Sequence, residues 1–98
     1  MSRRVYEIET IKINNRDIGK VIIDEHTDKH ADHINDELIL KLIQILDKTK
    51  QIPEESKKGF DYFVNILNHQ GSKYKLVWVL EENEIYIGVI TVFKDRRE

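Results

Sequence analysis

Residues 73–94 read KYKLVWVLEENEIYIGVITVFK. They describe two long β-strands joined by a tight turn, and they hold the only Trp of the chain with much of its β-branched and aromatic content. A two-residue turn at Glu82-Asn83 would set Glu81 against Glu84, Trp78 against Ile87, Leu76 against Val89 and Tyr74 against Thr91. The other face would pair Val79 with Tyr86, Val77 with Gly88 and Lys75 with Ile90. Asn tolerates the left-handed backbone that hairpin turns need. The favoured Asn-Gly pair is missing, which leaves the register open to a slip of one residue. Both faces carry apolar groups, so these are expected to be central strands rather than edges. Gly88 interrupts the second strand and marks a bulge or, in a sharper reading, room for a ligand over that face.

Working outward, residues 5–13, VYEIETIKI, read as a strand and residues 18–23, IGKVII, as its return. The polar turn Asn14-Asn15-Arg16-Asp17 between them completes an N-terminal hairpin. A helix is expected to start near Asp32 or Asn35, both good N-caps, with Asp36 and Glu37 in its first turn, and to run to about Asp47. Ile34, Leu38, Leu42 and Ile45 would share its apolar face, broadened by Ile39, Ile43 and Leu46. Gln51 to Lys58 holds the only Pro and reads as a loop. Residues 60–67, FDYFVNIL, fit a helix or a strand; their β-branched and aromatic content favours a strand that feeds the central hairpin through His69 to Ser72. The fold class that follows is α+β: an antiparallel sheet of four to five strands with one long helix packed on a face.

The chain of 98 residues makes one domain, residues 1–98, large enough for one modest core. No run of about eighteen apolar residues is present, which argues against a membrane span. The first ten residues are too polar for a secretory signal, and the absence of cysteine excludes disulfide and thiolate chemistry. A cytoplasmic protein is the expectation. The net charge of −2 is unevenly placed: residues 1–23 carry five basic and three acidic groups, and residues 24–37 carry one basic and six acidic groups. This balance does not point to indiscriminate nucleic-acid binding. Lys73, Lys75, Lys94, Arg96 and Arg97 offer only a local basic surface.

The most chemically loaded stretch is residues 24–37, DEHTDKHADHINDE. On a helix, His26, His30 and His33 would share one face among Asp24, Asp28 and Asp32, a donor set suited to zinc or another divalent metal. The HExxH signature is absent, and a solvated acidic loop with incidental histidines accounts for the same residues. Without a metal or any cofactor, one of these histidines would serve as a general acid or base, since imidazole titrates near neutrality. A metal-independent ribonuclease needs such a group and cations for the phosphorane, which Lys75, Lys94 and Arg96 would supply. Ordinary surface solubility accounts for the same three cations. No paired-carboxylate, Ser-His-Asp or Gly-rich phosphate motif is present.

The order strand–strand–helix–antiparallel strands, with VIIDEHTDKHADHINDELILKLIQIL followed by YKLVWVLEENEIYIGVITVFK, resembles the barnase–EndoU–colicin–RelE-like superfamily of small nucleases, in particular its phage- and toxin-associated members. The likeness covers residues 18–94: the acidic segment with Lys29-His30, the Tyr-x-Leu-x-Trp-x-Leu-Glu strand and the late Tyr-Ile-Gly-Val-Ile. It implies a metal-independent endoribonuclease, with RNA as substrate and an antitoxin or immunity protein as partner. His30, seconded by His26, would be the acid/base, Thr91 a phosphate-contacting hydroxyl and Lys94 the cation; Tyr74, Lys75 and Arg96 would contact substrate. Lys94 departs from the Arg expected there and lacks its bidentate fork. Two other classes stay open. One is a non-catalytic partner-binding module using a strand edge or an apolar sheet face; the other is a metal-binding protein built on His26, His30 and His33. The nuclease reading requires the imidazoles ahead of the helix to share a surface with Thr91 and Lys94.

Overall fold

The computed structural model describes residues 3–24 and 34–95. The elements are β1 (Arg3–Ile13), β2 (Arg16–Asp24), α1 (Asp36–Ile45), β3 (Glu55–Lys57), β4 (Phe60–His69), β5 (Ser72–Glu81) and β6 (Tyr86–Asp95). All strands join one sheet in the order β1-β2-β6-β5-β4-β3. The α+β class holds, and β5 and β6 are interior strands. Three finer expectations are corrected. The sheet has six strands, because Glu55–Lys57, inside the expected loop, pairs with the start of β4. It is mixed, because β2 runs parallel to β6, Ile22 beside Gly88 and Ile23 beside Val89. A parallel pair needs a long crossover, and the connection carrying α1 supplies it. The helix is short, ten residues ending at Ile45.

Local sequence explains most of these elements. Asn35 caps α1 by accepting from the Leu38 N–H at 2.9 Å, and Asp36 and Glu37 complement the helix dipole. Ile39, Leu42, Ile43 and Leu46 are buried, while Ile45 is exposed, so the apolar stripe is rotated from the one centred on Leu38 and Ile45. Three strand pairs close on two-residue turns: Asn14-Asn15, Lys58-Gly59 and Gln70-Gly71. Both residues of each turn have positive φ, the twist that suits a hairpin.

The central hairpin is different. Four residues, Glu82 to Ile85, separate its strands, with Asn83 at φ 63°. Trp78 therefore faces Val89 and Leu80 faces Ile87, a shift of two residues that keeps each side chain on its expected face. Beyond Trp78 the register slips again at a bulge around Ile90, and Val77 faces Thr91. That odd step turns Thr91 to the opposite face, and Tyr74 pairs with Lys94 instead of Thr91. The bulge lies beyond Gly88, not at it. A Cβ at Gly88 would stand 2.9 Å from Val79 Cγ2, so close approach across the strands explains the glycine.

The core lies between α1 and one face of the sheet, where Ile39, Leu42 and Ile43 meet Phe63, Trp78, Leu76 and Ile87. Trp78 is fully buried and stacks on Phe63 with ring centroids 4.1 Å apart. Its indole N–H donates to Asn65 Oδ1 at 2.8 Å, and the Asn65 amide donates to Gln51 Oε1 at 3.0 Å. Gln51 in turn donates to Thr49 Oγ1, just past the helix. Among the described residues no helix is long and apolar enough to cross a membrane.

Candidate functional site

Alternation along β5 sends Leu76, Trp78 and Leu80 toward the helix and Lys75, Val77, Val79 and Glu81 to the other side. Among the described residues no helix covers that second face. The ladders define what it carries. One row crosses the strands as Tyr62, Val79, Gly88, Ile22 and Val5. The next runs Val64, Val77 and Thr91, with the bulged Ile90 beside it. Two neighbouring rows add Phe60 beside Glu81, and Ile66, Lys75 and Phe93. Val5 is 57% exposed, Ile66 44%, Val64 37% and Ile90 36%, so this apolar band faces solvent.

Gly88 lowers the floor of the band. A cavity of about 220 Å³ opens there between Ile22, Phe60, Val79, Tyr86 and Ile90, with Arg3 and Asp24 at its rim. Gly88 and Val79 both line this cavity, and Val79 Cγ2 takes the space that a side chain at Gly88 would need. Tyr86 donates its hydroxyl hydrogen to the Glu81 carboxylate. Burial, then the neighbouring carboxylate, pushes its pKa up to about 12, so the phenol stays neutral at ordinary pH. On the other margin the Lys75 ammonium sits 5.6 Å from the Phe93 ring centroid. Lys75 and Glu81 bound the face along β5, and on β1 and β2 the register places Arg3, Asp24, Glu7 and Lys20 on the same face. The middle has the chemistry of a docking surface, an apolar centre with a polar rim.

The opposite side of β1 makes a clasp with the helix start. Arg4 Nε and Nη2 donate to the two Asp36 oxygens at 2.6 and 2.9 Å, and Tyr6 donates its hydroxyl to the same carboxylate. The Arg4 guanidinium holds the Asp36 pKa below its ordinary value, and the Asp36 carboxylate raises that of Tyr6.

The residues singled out in the sequence are divided. His26, His30, His33 and Arg96 lie outside the described residues. Thr91 and Lys75 belong to the helix-free face; Tyr74 and Lys94 pair with each other on the helix side. Thr91 and Lys94, expected to converge on a phosphate, therefore point to opposite sides of the sheet. The Thr91 hydroxyl is buried without a hydrogen-bond partner. Among the described residues no group of three or more His, Cys, Asp and Glu is placed to hold a metal. The band itself was only partly readable. Apolar residues on both faces of residues 73–94 gave the signal, but which strands flank them depends on the β2–β6 pairing.

No protein-family model matches the chain, and neither a curated protein nor a solved structure matches it.

Proposed function

We propose that this chain is a non-catalytic protein–protein interaction module that docks through the helix-free face of its sheet. The observation that carries the reading is the uncharged row Tyr62, Val79, Gly88, Ile22 and Val5 across five strands, with exposed Val5 at its end and exposed Val64, Ile66 and Ile90 in the rows beside it. The uncharged positions of the four rows, twelve of them at about 4.8 by 6.8 Å each, give a flat projection of roughly 400 Å². Patches of this size on a monomer serve as contact surfaces. A ribonuclease of the kind the sequence resembles draws on Thr91 and Lys94 together; docking needs no such convergence.

The test is assembly size in extracts of the producing cell. The wild-type chain is expected to migrate in an assembly larger than its own mass. A Val5→Lys, Val64→Lys double variant should migrate as the free chain, while Ile52→Lys, at an exposed position outside the band, should behave as wild type. Identical migration of the band variant and the wild type would overturn the reading.

A further inference from the structure

We propose that the occupant of this face is a second copy of the chain, packed sheet against sheet about a two-fold axis that crosses the strands between the Val77 and Val79 rows. The inference rests on the docking reading above and names the partner. Such an axis lays Val77 of one copy over Val79 of the other. The ladder partners of these residues follow: Tyr62 comes over Val64 of the other copy, and Phe60 over its Ile66. One row farther out on β5, Glu81 comes opposite Lys75 of the other copy, twice by symmetry. The face is thus complementary to itself along β4 and β5, acid against base at both margins and apolar side chains between, while on β6 Thr91 comes over Gly88. An axis along the strands would instead set each margin against a like margin, Glu81 near Glu81.

Aligned sheets cross at about 30°, so the contact centres on β4, β5 and β6, and β1 and β2 diverge from it. The twelve positions of four rows on β4, β5 and β6 project roughly 400 Å² per copy, charged margins included. That is about half of the ~800 Å² per partner of a standard interface, which makes the expected dimer a weak one.

A charge-swap cycle read by sedimentation equilibrium or light scattering tests the proposal. The purified wild-type chain is expected to be dimeric at about 100 µM, with Glu81→Lys and Lys75→Glu each weakening the dimer by about tenfold. The double variant, which exchanges the two charges, should regain most of the loss. Two results would overturn the inference: a wild-type chain that stays monomeric throughout this range, or a double variant no tighter than the weaker single one. If the purified chain is monomeric while its larger assembly in extracts still depends on Val5 and Val64, the second copy is wrong and the docking face stands. If neither assembly forms, both readings fall.

Discussion

Asp36 carries two structural duties from one carboxylate: it sits in the first turn of α1 and accepts from Arg4 and Tyr6 of β1. Charge-assisted, bidentate bonds of this kind contribute more than neutral ones. Asp36→Asn is expected to cost about 1–3 kcal/mol at neutral pH, measured by chemical denaturation. Because Arg4 depresses the folded-state pKa, that contribution is complete above the unfolded value of about 4 and is lost as pH falls through the folded one. The gap between wild type and Asp36→Asn should therefore close in acid; a gap independent of pH would contradict this account. Gly88 gives a second test at the same scale. Gly88→Ala places a methyl 2.9 Å from Val79 Cγ2, and overpacking of this sort costs about 1–3 kcal/mol. A Val79→Ala change in the same chain should recover part of the loss. No recovery would mean that backbone conformation, not space, explains the glycine. The sequence marked Asp36 as a helix-start residue, since capping chemistry is local. It did not show Arg4 and Tyr6 as its partners, which lie more than 29 residues away and meet it only through packing.

Elements with local signals were legible, and those defined by pairing were not. Asn35 and its acidic neighbours announced the start of α1, and the β-branched run in residues 60–67 favoured the strand that forms. The four-residue loop at Glu82–Ile85 has no Asn-Gly signature, so the register of β5 against β6 could not be counted from its turn. The bulge at Ile90 then moved Thr91 across the sheet, a consequence of one unpaired residue that composition does not reveal. The short β3 lay within a polar stretch that reads as a loop. One polar chain joins these elements, from Trp78 through Asn65 and Gln51 to Thr49. Asn65→Ala would leave the Trp78 indole N–H unpaired in the core, at a cost of about 1–3 kcal/mol. Because Trp78 is the only tryptophan, its fluorescence should report unfolding at lower denaturant in the variant. An unchanged midpoint would show that the amide of Asn65 is dispensable.

At the scale of the whole molecule, one side of the sheet is filled by α1 and the other carries apolar side chains with no helix over them among the described residues. The two-sided apolar pattern of residues 73–94 was visible in the sequence and correctly implied interior strands. What it could not show was that Val5 and Ile22 continue the band through the parallel β2–β6 pair. The surface follows from topology, and topology joins segments that are far apart in the chain. The most direct test is a photo-crosslinker placed in turn at Val64, Ile66 and Ile90 on the band, and at Ile52 and Ile85 off it, in the producing cell. The account predicts crosslinked products from the three band positions and none from the other two. Products confined to Ile52 or Ile85, or none from the band, would contradict it.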